Sequence, residues 1–66
     1  MAFIKKNKID PIIKSSMNYK AGYREKEIMK NATHVYTSNR GRCIEFLDSK
    51  TGKKCQFDLY NKRWTN

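Results

Sequence analysis

The clearest pattern in the chain is a period of two between residues 42 and 60. Ile44 and Phe46 alternate with Glu45, and Cys55, Phe57 and Leu59 alternate with Lys54, Gln56 and Asp58. Alternation of this kind marks strands with one buried face. Arg42 to Asp48 therefore reads as a strand, Ser49-Lys50-Thr51-Gly52 as a tight connection, and Lys53 to Tyr60 as the partner strand. Closing the hairpin at Gly52 pairs Asp48 with Lys53, Phe46 with Cys55 and Ile44 with Phe57. One face then holds Ile44, Phe46, Cys55, Phe57 and Leu59. The other holds Glu45, Lys54, Gln56 and Asp58, interrupted by Cys43 and Leu47. A slip of one residue would exchange the two faces, so the pattern specifies the register.

The same register puts Cys43 and Cys55 on opposite faces and predicts no disulfide between them. Upstream, His34 to Ser38 reads as another strand and Asn39-Arg40-Gly41 as the turn that follows it. Whether Val35 or Tyr36 faces the core depends on the length of that turn.

The first half of the chain lacks this alternation. Asp10-Pro11 is a helix start, with Asp as N-cap and Pro where its missing N–H costs nothing. A short helix over about residues 11 to 17 follows, with Ile12, Ile13, Ser16 and Met17 assigned to one face. A second helix is expected from Tyr19 to Asn31, with Ala21, Ile28 and Ala32 along one stripe. Asn18 would cap its start, and Asn31 would end it in the left-handed region. Gly22 weakens this helix or divides it in two. Met1 to Ile9 is a basic segment, either anchored by Phe3 and Ile4 or a mobile arm.

Together these elements predict a single α+β domain: one or two N-terminal helices packed on a three-stranded antiparallel meander. Its 66 residues leave a thin core, and dimerisation would bury more surface. No run approaches the roughly 20 apolar residues of a membrane span, and the N-terminus has no signal-peptide pattern. With only two cysteines, the expected setting is the reducing cytoplasm.

Charge changes the picture most. Fifteen Lys and Arg face six Asp and Glu, a formal net charge of +9 and a pI near 9.9. That potential favours a polyanion, with nucleic acid ahead of an acidic membrane surface or an acidic protein. Basic and aromatic residues are interleaved at Tyr19-Lys20, Tyr23-Arg24 and Tyr60-Asn61-Lys62-Arg63-Trp64, and Arg40 and Arg42 flank Gly41. Cations neutralise phosphates and exposed rings stack unpaired bases, a mixture suited to single strands more than to duplex grooves. The expected phosphate contacts are Lys20, Arg24, Lys26, Arg40, Arg42, Lys53, Lys54, Lys62 and Arg63. The stacking candidates are Tyr19, Tyr23, Tyr60 and Trp64, with cover for the sheet as the competing role of Tyr19 and Tyr23, and a lid over Leu59 or Ile28 as that of Trp64.

Catalytic chemistry has little support. His34 is the only histidine, and no Ser or Cys is tied to it by spacing. A metal-independent nuclease using His34 with Tyr36, Lys54 or an Arg is conceivable, but a strand-edge role for His34 is the simpler reading. Cys43, Cys55 and His34 do not form a metal-ligand spacing, and no cofactor is implied. Ser49 to Lys54 lacks the first glycine and the following helix of a phosphate loop. The N-terminal segment is too weakly amphipathic for a membrane surface. The expectation is a non-enzymatic protein that binds RNA or single-stranded nucleic acid. The alternative is an inhibitor or adaptor of the kind bacteriophages and mobile elements make. It would dock on a host nuclease, toxin or transcription component, directly or through shared RNA.

Overall fold

The structure is a computed structural model that describes residues 4–5 and 8–65. Two helices, α1 (Pro11–Lys20) and α2 (Tyr23–Asn31), precede the strands β1 (His34–Ser38), β2 (Cys43–Asp48), β3 (Lys53–Asp58) and β4 (Arg63–Trp64). The strands form one antiparallel sheet in the order β1-β2-β3-β4, with the helices on one face. This is the expected α+β arrangement, extended by a short fourth strand.

The β2–β3 register is the one the alternation predicts: Ile44 opposite Phe57, Phe46 opposite Cys55 and Asp48 opposite Lys53. The β1–β2 turn puts Val35 opposite Phe46, so Val35 and not Tyr36 enters the core. Met17, Ile28, Ala32, Val35, Ile44, Phe46, Cys55 and Phe57 form that core together with Ile9. Cys43 and Cys55 are both buried and both free, on opposite faces of the hairpin.

Turn chemistry holds the hairpins. The buried Asp48 carboxylate accepts from the Lys50 N–H at 3.0 Å and the Thr51 hydroxyl at 3.1 Å. Its backbone carbonyl accepts from the Gly52 N–H, and Gly52 sits at φ +74°, where a side chain is costly.

The helical half departs from expectation at several points. One helix does not run through residues 19–31. Ala21 and Gly22 are extended, at ψ 133° and −178°, so α1 continues to Lys20 and α2 begins at Tyr23. Asn18 lies inside α1, and the α2 start is held instead by the Glu25 carboxylate, which accepts from the Gly22 N–H at 2.9 Å. Asn31 is helical; the chain leaves α2 through extended Ala32. Ile12 is exposed, because the face of α1 that meets the sheet carries Ile13 and Met17, one turn apart.

At the N-terminus, Ile4 donates its N–H to the Val35 carbonyl at 2.6 Å, and Ile4 and Ile9 pack on the core. Ile4, one of the two expected anchors, is thus held against the core. Phe3 and the other residues of that segment with no described position lie outside the described residues.

Candidate nucleic-acid interface

Antiparallel order brings the β1–β2 and β3–β4 turns to the same end of the sheet. The first turn spans residues 39–42 and contains three consecutive residues at positive φ: Asn39 at 51°, Arg40 at 59° and Gly41 at 84°. Hydrogen bonds from Gly41 N–H to the Ser38 carbonyl and from Arg42 N–H to the Asn39 carbonyl close it. In the second turn the Asp58 carboxylate accepts from the N–H groups of Tyr60 and Asn61 and from the Asn61 amide. Lys62 then takes φ 52°.

These geometries aim cations and a ring at one place. The Arg42 guanidinium lies 5.3 Å from the centre of the Tyr60 ring, and the Leu59 N–H donates to the Arg42 carbonyl at 2.8 Å. From the end of α1, the Lys20 ammonium donates to the Lys62 carbonyl at 2.7 Å. Lys20, Arg40, Arg42 and Lys62 thus share the hairpin-turn end with Tyr60, and Arg63 opens β4 there opposite Asp58.

Arg40 and Lys62 carry a further message. Left-handed backbone costs a residue with a Cβ about 1–2 kcal/mol, and glycine or asparagine is the inexpensive occupant. Two neighbouring turns instead hold an Arg and a Lys in that conformation, each at the exposed tip.

Tyr19 and Tyr23 are not cover for the sheet. Tyr19, Tyr23 and Tyr60 are 88%, 85% and 78% exposed. Tyr19 ends α1 beside Lys20 and Tyr23 opens α2 beyond the Ala21–Gly22 break, so they flank an elbow and do not sit one turn apart on a single helix. Tyr23 shares the outer surface of α2 with Lys26, Glu27, Lys30 and Asn31. Cations and rings therefore share two surfaces, the hairpin-turn end with Lys20 and Tyr60, and the outer face of α2 with Tyr23, Lys26 and Lys30.

Trp64 leaves the stacking set. Its ring meets Phe57 edge-on, at 5.1 Å between centres, and Phe46 at 6.2 Å, and its N–H donates to the Met17 carbonyl. Its lid role is real: it packs on the core and closes over the two phenylalanines.

The remaining predicted cations do not join the hairpin-turn cluster. Arg24 lies on the β3 flank, donating to the Lys54 carbonyl at 3.0 Å and pairing with Glu25 at 3.5 Å. Lys54 pairs with Glu45 at 3.6 Å, and Lys53 stands at the opposite end of the sheet. Lys26 belongs to a groove between α1 and α2 whose other polar lining, Lys14, Asn18 and Lys30, the sequence reading passed over. Their signal was the four-residue spacing of Lys14 with Asn18 and of Lys26 with Lys30, which sets each pair on one helix face.

Several carboxylates are engaged by backbone N–H groups and keep their negative charge there. Asp10 caps α1, Glu25 caps α2, and Asp48 and Asp58 hold turns. Hydrogen bonds from the Asn61 side chain and from backbone N–H groups, together with the nearby Arg42 charge, hold the Asp58 carboxyl below the ordinary aspartate range.

Among the described residues no group of His, Cys, Asp and Glu is arranged to hold a metal, and no helix is long and apolar enough to cross a membrane. His34 shares a hydrogen bond with Thr33, which also contacts Ser49 and the Leu47 carbonyl. No protein family, curated protein or solved structure matches the chain.

Proposed function

We propose that the protein is a non-enzymatic binder of RNA or single-stranded nucleic acid, acting in the cytoplasm through the hairpin-turn end of its sheet and the α1–α2 elbow. The observation that carries this reading is the placement of Arg42 against Tyr60 and of Lys20 against Lys62 at one end of the sheet, with Tyr19, the residue before Lys20, in solvent. Cations there meet phosphates, and open ring faces take bases. In a duplex both faces of each base are already stacked, so the exposed tyrosines favour unpaired strands. The left-handed Arg40 and Lys62 support the same surface, since strain retained at two tips is characteristic of functional sites. A homodimer that doubled this surface would add phosphate contacts and affinity.

Fluorescence anisotropy with labelled RNA, single-stranded DNA and duplex DNA of one sequence tests the reading. Affinity for the single strands should be higher and should fall log-linearly with salt, with a slope of about 0.7 per neutralised phosphate. Generic sites should bind at about 10⁻⁴ to 10⁻⁶ M. Absence of binding to purified RNA, with one acidic protein retained through nuclease treatment, would overturn it in favour of an inhibitor or adaptor.

A further inference from the structure

A groove of about 320 Å³ lies between the helices, with Ile9, Met17, Met29 and Phe46 as its apolar lining. Lys14 and Asn18 border it from α1, and Lys26 and Lys30 from α2. That volume is at the small end of the roughly 300–1,000 Å³ typical of ligand sites. We infer that this groove receives one unstacked nucleobase of a bound single strand, its flanking phosphates on Lys14 and Lys26. The inference rests on the nucleic-acid reading and assigns a specific pocket within it.

Charge and continuity select this occupant. Lysines from both helices ring an apolar floor, which suits a flat apolar ring attached to a phosphodiester. Asn18 contributes an amide with both donor and acceptor, the pairing that reads a base edge and that an acyl chain cannot use. Lys26 and Lys30 also border the surface that holds Tyr23, so a strand stacked on that tyrosine passes directly to the groove. The floor can adapt, because Met17 and Met29 have flexible, polarizable thioethers that conform to a ring.

The test uses the whole chain with ¹³C-methyl methionine, titrated with oligouridylate and, separately, with decanoate as a lipid-like anion. Oligouridylate should shift the Met17 and Met29 methyl signals together with the ring signals of Tyr23. The double variant Asn18→Leu with Lys26→Gln alters helix-surface positions. It should keep the wild-type thermal transition, lose the methionine shifts, and bind oligouridylate about tenfold more weakly, the scale of one lost base contact. It should retain shifts at the Tyr60 ring. Oligouridylate binding that moves Tyr60 but neither methionine overturns the groove assignment and leaves the broader reading standing. Methionine shifts with decanoate alone overturn it in favour of a lipid, and no response to oligouridylate at any residue removes both proposals.

Discussion

The indole N–H of Trp64 donates to the backbone carbonyl of Met17 at 3.2 Å, tying the last strand to the first helix. Helix geometry explains why that carbonyl is available. In a continuing helix the Met17 carbonyl would accept from the Ala21 N–H, but Ala21 turns away and donates to Asn18 at 3.4 Å. Trp64 satisfies the acceptor left behind. Trp64→Phe should therefore cost about 1 kcal/mol for the lost hydrogen bond, and Trp64→Ala about 3 kcal/mol or more as packing on Phe46 and Phe57 is lost. Urea denaturation of the two variants checks both values.

Arg40→Gly and Lys62→Gly should separate stability from binding. Each substitution relieves left-handed strain and should raise stability by about 0.5–1 kcal/mol, after the entropic cost of glycine. Each should also weaken single-strand affinity and flatten the salt dependence by about 0.7. Thermal melts and salt titrations measure the two effects. A gain in stability with unchanged binding would take that residue out of the interface.

Tyr19, Tyr23 and Tyr60 contribute little to folding because their rings lie in solvent. Alanine at Tyr19 or Tyr23 should change stability by less than about 0.5 kcal/mol. Tyr60→Ala should cost up to about 1 kcal/mol through loss of the Arg42 contact. Each variant should lose about 1–3 kcal/mol of single-strand binding where its ring stacks a base, and leave weak duplex binding unaltered. Anisotropy against matched single and double strands provides the comparison.

Alkaline pH should destabilise the fold through Cys55. Burial, reinforced by the charge of Glu25, pushes its thiol up to about 11. Burial and the Glu45 carboxylate likewise raise the Tyr36 phenol. Above the unfolded thiol value of about 8.5 the unfolded chain releases a proton that the folded chain keeps, so stability falls as pH rises. The contribution is complete below that value and is lost on the way to about 11. Lysine deprotonation acts in the same range, so the informative quantity is the difference between wild type and Cys55→Val in urea midpoint against pH. The Cys55 thiol should also resist alkylation in the native state at a rate limited by unfolding.

Period-two alternation made the β half legible: it puts Ile44, Phe46, Cys55 and Phe57 on one face, the tight turn at Gly52 selects one of the pairings that do so, and β2–β3 adopts it. Asp10-Pro11 was equally readable, because an N-cap and a proline act through backbone chemistry within a few residues. The cationic surplus was visible in composition, but its gathering was not. Arg42 and Tyr60, or Lys20 and Lys62, meet only because strand order brings two turns and a helix end together.

Local pattern is written in the chain because periodicity, caps and turns depend on neighbours a few positions apart, and from these the α+β class, the hairpin register and the separation of the two cysteines follow. Which rings are spent on the core and which stay in solvent depends on contacts between distant segments. Trp64 became a lid because Phe46, Phe57 and an unclaimed helix carbonyl lay within its reach. Tyr19 and Tyr23 stayed exposed because the chain bends at Ala21–Gly22, and that bend, with the packing of α1 and α2 over Phe46, also made the lysine-rimmed groove.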